Sequence, residues 1–470
     1  MSLNLSARPC LVRRLSSGRV SDAIVSDVDQ LRLTAVRLLR WAAVSIAMAL
    51  SFTATSSTAL AADPLRLMSV MRLDPRLEQL AFRTPALAGV TDVRILLPAG
   101  YDSHPRRRYP VLYLLHGAID NYSSWTVKGD AEQLTARYPL IVVMPDSGPT
   151  GGYTNWYNGG ADGRPEWETF HINELIPWID GHLRTRAIRT ERAIAGLSMG
   201  GFGAMSYAAR HPDLFAAAAS FSGAVDTNNP LDIAVTAATI FGPRATEQVI
   251  WRAHNPLDLA GNLRGLSLTI RTGNGRPGGP YGPSAGTDIV EFAVHQMSVG
   301  FHARLVALRI PSIWDDYGPG GHLWPYWQRD LRQTLPTFMT VFAHPKLPPA
   351  SFSYTAVEPR FAVYGWSVAL RRPALEFSRL RVDGRRRFSL TGSGRASITT
   401  APLYRAKRNV LAVVRDAAGT HRRRLRTDRR GRLRVSLDLG PGHRYQEFTA
   451  RADSAPHHSA TADVRIERTA

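Results

Sequence analysis

Six residues, Gly196-Leu197-Ser198-Met199-Gly200-Gly201, constrain this chain more than any other stretch. The apolar run before them (192–195) reads as a buried strand, and 202–210 after them reads as a helix. Ser198 therefore falls on a strand-to-helix turn. A turn this sharp presses strand against helix and forces an unusual backbone angle on the serine, so Gly196 and Gly200 must lack side chains. It also lifts the hydroxyl clear of the backbone. The helix N-terminus lies behind it, where the Met199 amide and the helix dipole would both favour an oxyanion. The pattern asks for a parallel α/β sheet carrying a nucleophile at its carboxyl edge.

The surrounding sequence supplies such a sheet. Residues 93–97, 109–115, 140–144, 216–221, 266–271 and 303–308 read as strands, and 166–183, 288–299 and 324–342 read as helices. The 109–115 strand ends in His116-Gly117-Ala118, where a second oxyanion amide is expected, with Ala118 the candidate. The loop 148–164 is rich in glycine and carries Asn155-Trp156-Tyr157, suited to an acyl or sugar site or to packing beneath the loop. Residues 226–262 lack strand periodicity and read as a cap over the site.

A serine hydroxyl is a weak nucleophile at neutral pH and needs a base, itself oriented by a carboxylate. The expected chain order is nucleophile, acid, histidine. His322 fits the base, on the glycine-rich loop Gly318-Pro319-Gly320-Gly321 after the last predicted strand. Glu291 is the preferred acid, with Asp288 one helical turn earlier as its rival. Asp315 and Asp316 read as caps of the preceding loop. The implied chemistry calls for no metal and no organic cofactor.

Residues 85–345 resemble the esterase D-like branch of the α/β-hydrolases, which includes carboxylesterases, S-formylglutathione hydrolases, feruloyl esterases and antigen 85-type mycolyltransferases. The resemblance rests on Leu115-His116-Gly117, Asn155-Trp156-Tyr157, the serine turn, His211-Pro212-Asp213, Ser222-Gly223, Gly273-Asn274-Gly275 and His322-Leu323-Trp324-Pro325-Tyr326-Trp327. It implies an α/β-hydrolase fold, with Glu291 as acid, His322 as base, Met199 and Ala118 as amide donors, and Trp156, Tyr157 and Trp324 near the substrate. The implied activity is that of a secreted serine esterase or acyltransferase working through an acyl-enzyme on small-molecule, lipid or sugar esters. Mycolyl-type transfer to a sugar hydroxyl is the alternative, and an envelope-binding protein on an inactive hydrolase scaffold is a second. Two positions depart from the mycolyltransferase pattern: His116 stands where those enzymes carry Asp, and Gly200-Gly201 where they carry Ala-Gly.

Charge separates the rest of the chain. Of a net +20, residues 346–470 hold most, with 26 Lys+Arg against 10 Asp+Glu. After a linker at 346–352, short alternating segments with turn signals at Asp383-Gly384, Ala418-Gly419 and Gly431 predict a basic all-β, sandwich-like domain over 353–470. Arg385 to Arg387 and Arg422 to Arg424 near those turns suggest a cationic patch for an anionic cell-envelope polymer or membrane surface. No nucleic-acid motif is present. At the other end, Arg32, Arg37 and Arg40 precede an apolar run at 41–52 and the small residues Ala59-Leu60-Ala61. Residues 1–61 thus read as a signal peptide with a long n-region, with an uncleaved anchor as the alternative, leaving 62–345 as the catalytic domain. Cys10, the only cysteine, would be removed with it, and the expected location is secreted or envelope-associated.

Overall fold

The computed structural model describes residues 65–467, apart from 232–237, 283–284 and 457. The signal-peptide expectation lies outside the described residues.

Nine strands form the central sheet: β1 (Arg66–Arg72), β2 (Leu77–Arg83), β3 (Val90–Leu96), β4 (Val111–Leu115), β5 (Ile141–Pro145), β8 (Arg192–Leu197), β9 (Ala217–Phe221), β10 (Ser267–Thr272) and β11 (Ser312–Asp316). A small ribbon of β6 (Asn155–Trp156) and β7 (Gly163–Glu166) stands apart. The sheet order is β1-β2-β3-β5-β4-β8-β9-β10-β11. From β5 to β11 neighbours pair in parallel, and β1 to β3 extend the other edge antiparallel. The parallel strands β4, β5, β8 and β9 are buried along their whole length, which is why they read as unbroken apolar runs. Helices Met199–Arg210 and Ile289–Ala307 pack on one face with a core around Phe202, Met205, Phe215 and Phe301. Helix Trp324–Ala343 covers the other, with Leu331, Leu335 and Phe338 against Leu112, Leu114 and Ala195.

One strand expectation is corrected. Residues 303–308 continue the helix Ile289–Ala307, and the edge strand is Ser312–Asp316. Val294, Met297, Phe301 and Leu305 are buried at spacings of three and four, which is a helical stripe and not alternation. The turn out of the helix is taken by Arg309, in the left-handed region at φ 54°. β11 hides its strand character behind two acids. Asp315 is neutralised by Arg271 and Arg329, so its charge belongs to the strand and does not cap a loop. The helix expected over 166–183 begins with a π-helical turn at Thr169–Leu175 before Ile176–His182.

The C-terminal domain is all-β. Strands β12 (Ser351–Ala356), β15 (Ser378–Asp383), β16 (Arg387–Gly392), β18 (Asn409–Asp416), β19 (Gly419–Arg426) and β21 (Ala460–Ile466) form one sheet in the order β12-β15-β16-β21-β18-β19. The second sheet runs β13 (Arg360–Val363), β14 (Trp366–Arg371), β17 (Arg395–Thr399), β20 (Arg434–Asp438). All their pairings are antiparallel. Residues of both sheets, among them Trp366, Ile398, Val435, Phe388, Val414 and Val464, share one apolar core. The expected cationic patch is divided: Arg387, Arg422 and Arg424 lie on strands, whereas Arg385 and Arg386 form the β15–β16 turn.

This domain is seated on the first. Val357, Leu375, Phe377 and Phe448 pack with Val249 and Ala253 of the helix Arg244–His254, part of the expected cap. Asn262 exchanges two hydrogen bonds with the Thr355 backbone, at 2.8 and 2.9 Å. Arg210, the last residue of the helix that begins at Met199, lies between Glu168 at 2.9 Å and Glu358 at 2.7 Å. Although burial is the largest single influence and raises the Glu168 carboxyl, Arg210, His211 and His254 together outweigh it and hold the group well below the usual carboxylate range.

Burial works the other way on two histidines of this region. His171 accepts from the Tyr207 hydroxyl at 2.9 Å and donates to the Asp146 carbonyl at 2.8 Å, and burial pushes it down to about 4. His254 is also lowered, by burial and then by Arg210. Between the unfolded value near ~6.5 and the folded one, the unfolded chain binds more protons, so stability falls as pH drops through that window. Thermal melting from pH 7 to 4.5 should show a falling midpoint, with a shallower fall in His171→Gln. A flat profile would rule out the buried neutral ring.

Candidate active site

Ser198 occupies the turn between β8 and the helix Met199–Arg210, with φ 53° and ψ −120°. This strained backbone is held by neighbours on both sides. A Cβ on Gly196 would lie 2.3 Å from the Gly200 carbonyl oxygen, and one on Gly200 would lie 2.5 Å from that of His116. The serine is 6% exposed, and its amide donates to Phe221 at 2.9 Å.

His322 and Glu291 are brought together from distant parts of the chain. His322 Nδ1 lies 2.8 Å from Glu291 Oε2. Glu291 is fully buried, and its other oxygen accepts from Ser222 Oγ at 2.8 Å, Gly273 N at 2.7 Å and Thr272 Oγ1 at 3.2 Å. Ser222, Gly273 and the imidazole thus hold the buried carboxyl in place, with the Thr272 hydroxyl shared between it and the Gly273 carbonyl at 2.9 Å. The rival acid has another task. Asp288 caps the helix Ile289–Ala307 through Glu291 N at 3.1 Å and accepts from the His322 amide at 2.7 Å. It thus ties the histidine loop to the helix that carries Glu291, while the ring itself faces Glu291. Trp327 stands edge-on to the His322 ring at 4.9 Å.

The loop after β4 is set by His116. Ser147 N–H donates to His116 Nε2 at 3.0 Å, so the ring proton resides on Nδ1 and is donated to the Gly117 carbonyl at 2.8 Å. Asp146 Oδ1, 3.3 Å from Nε2, would pair only with the protonated ring. Since the peptide unit is planar and trans, a Gly117 carbonyl turned toward His116 directs the Ala118 N–H the opposite way. Gly117 itself lies beside the serine, for a Cβ there would be 3.4 Å from Ser198 Cβ. Neither the Ala118 nor the Met199 amide donates to any acceptor among the described residues.

The three aromatic candidates separate. Trp156 and Tyr157 line a cavity of about 330 Å³ with Glu168, Arg210, His254 and Glu358. Trp156 Nε1 donates to Gly151 at 2.9 Å, and the Tyr157 hydroxyl reaches Glu247 at 3.4 Å. Trp324 packs elsewhere, edge-on to Trp125 and Trp327. Sequence reasoning did not assign the donors that hold Glu291, or the bonds made by His116. Ser222-Gly223 and Gly273 were visible as motif residues, but only the folded chain shows that both face the same carboxylate. No cluster of three or more potential metal ligands occurs among the described residues.

A mostly parallel sheet with a strained serine at a strand-to-helix turn, and a histidine on a later loop paired with a carboxylate from the first turn of a later helix, defines an α/β-hydrolase architecture. The chain belongs to the Esterase family, whose model matches residues 84–338. It is 36% identical over 223 residues to Esterase Rv1288 of Mycobacterium tuberculosis, covering 44% of this chain and 48% of that protein. It is 30% identical over 259 residues to the diacylglycerol acyltransferase/mycolyltransferase Ag85B of Mycobacterium leprae, covering 50% of this chain and 78% of that protein. The match therefore spans about half the length of the esterase. An S-formylglutathione hydrolase structure from Agrobacterium tumefaciens aligns with TM-score 0.48 at 17% identity, over 59% of this chain and 99% of its own.

Proposed function

We propose that the protein is an exported serine esterase or acyltransferase that works through an acyl-enzyme on Ser198. The observation that carries this reading is the Glu291–His322 pair, held by buried donors, in a fold that strains Ser198 at the strand-to-helix turn. Ser198 Oγ attacks the ester carbonyl as His322 Nε2 takes its proton, and Glu291 steadies the imidazolium through Nδ1. The Met199 and Ala118 amides hold the oxyanion, each worth about 3–4 kcal/mol of barrier. The alkoxide leaves with the proton from His322. Water or a sugar hydroxyl then gives its proton to His322 and accepts the acyl group. Trp324 supports the histidine side through Trp327, whereas the cavity lined by Trp156 and Tyr157 holds neither Ser198 nor His322.

The relative that is 30% identical carries transfer in its name, which keeps transfer to a hydroxyl acceptor as the second reading. Export rests on the apolar run and small residues that end at Ala61. Among the described residues, no helix is long and apolar enough to cross a membrane. Release of p-nitrophenol from short- and long-chain esters, with and without trehalose, tests the reading. Turnover that needs the acceptor identifies the transferase, and absence of turnover with every ester favours a binding scaffold.

The two carboxylates should separate sharply. Glu291→Gln is expected to lower kcat by about 10⁴-fold, because it leaves the ring in the wrong tautomer. Asp288→Asn keeps one acceptor and the ring partner, so its loss should be on the order of tenfold. Equal losses in pre-steady-state kinetics would remove Glu291 from the role.

A further inference from the structure

The outer face of the six-stranded sheet is an organised array of charge. Across the strands, Asp383, Arg387, Arg465, Val413 and Arg422 form one row. The next row is Ser353, Arg381, Ser389, Asp463, Arg415 and Thr420. A third sets Arg379 beside Thr391 and Thr461. All of these except Arg422 line an open groove of about 1030 Å³, together with Arg264 and Phe352. Arg381 pairs with Asp383 at 3.2 Å and Arg422 with Glu467 at 3.6 Å. Arg379, Arg387, Arg415 and Arg465 have no carboxylate within 4.0 Å among the described residues.

Structural needs do not explain this arrangement. Arginines on an edge strand discourage strand addition, and that accounts for Arg422 and Arg424 on β19. Arg387 and Arg465 lie instead on β16 and β21, inside the sheet, directly opposite each other. Like charges so placed are destabilising. The inner face of the same strands is apolar, so the fold asks nothing of the outer positions except solubility.

We propose that this face binds a linear anionic polysaccharide. Unpaired guanidinium forks match carboxylate groups spaced along a chain. The Ser and Thr hydroxyls between them, and Asp463, supply acceptors and donors for sugar hydroxyls. A bilayer is a poorer fit, since the rows present hydroxyls and two aspartates where a membrane surface requires apolar side chains to insert. A nucleic-acid strand would look for a run of aromatic platforms, and this lining has one aromatic, the half-buried Phe352 packed against Tyr364.

The test measures binding of the full chain to alginate, to neutral dextran and to phosphatidylglycerol vesicles. Alginate should bind, dextran should not, and raising NaCl from 50 to 300 mM should weaken alginate binding by about tenfold or more. Arg387→Thr with Arg465→Thr should cost at least about tenfold in alginate affinity, because two of the unpaired guanidinium groups are gone. If that double variant fails to fold by near-UV circular dichroism, Arg379→Thr with Arg415→Thr asks the same question. Alginate ignored, alginate and dextran bound alike, vesicles bound in place of alginate, or unchanged affinity in a folded variant would each overturn the proposal.

Discussion

Ser198→Ala is expected to lower kcat by roughly 10⁶-fold, leaving only the acceleration that binding and the oxyanion amides provide. The alanine keeps the backbone but removes the hydroxyl that forms the acyl-enzyme in the proposed mechanism. His322 then has no hydroxyl proton to accept, so adding His322→Ala to the first variant should cost almost nothing more. That non-additivity separates a catalytic unit from three residues that merely support the fold. Burst kinetics with a p-nitrophenyl ester and labelling by a fluorophosphonate provide the measurement. Labelling at another serine, or a loss of less than about tenfold, would reject the assignment.

Arg210→Ala should destabilise the folded chain by about 3–5 kcal/mol, because two carboxylates lose their common cation. Glu168 is nearly buried, and its remaining neighbours are His211 at 2.7 Å and the more distant His254. Glu358 comes from the C-terminal domain, so the same change removes an ion pair that joins the two domains. The Arg210 guanidinium also donates to the Ala253 carbonyl at 2.9 Å, while the Tyr354 hydroxyl donates to the Arg210 carbonyl at 2.6 Å. Urea unfolding should therefore become less stable and split into two transitions, with the C-terminal domain released first. Arg210→Lys should recover only part of the loss, since one ammonium cannot present the planar fork that reaches both acids and the carbonyl. A single transition displaced by under about 1 kcal/mol would show that the cluster is solvated.

Much of the site was legible because its chemistry imposes local patterns. Steric demand at the serine turn leaves its glycines no substitute, and the glycine-rich loop before His322 marks a histidine delivered at the sheet's carboxyl edge. Buried parallel strands read correctly because both faces are apolar. Failure came at β11, an edge strand whose acids are compensated by Arg271 and Arg329 from elements far away in sequence. It came also at β1 and β2, which add to the sheet edge beyond the reach of the parallel pattern. Ion pairing across such distances leaves no periodicity.

The sequence by itself determined the strand–serine–helix turn, the loop that carries His322, and the split between a charge-balanced α/β part and a basic all-β one. Those features depend on contacts between near neighbours or on composition. Tertiary structure alone decided that Glu291 and not Asp288 faces the imidazole, since both sit on the same helical turn and only the approach of the His322 loop distinguishes side chain from cap. It also decided that His116 orients the Ala118 amide, and that arginines scattered over some ninety residues lie side by side on one face. Strand register, which brings Arg387 against Arg465, is a long-range property set by packing of the buried face, so no local reading of either residue could contain it.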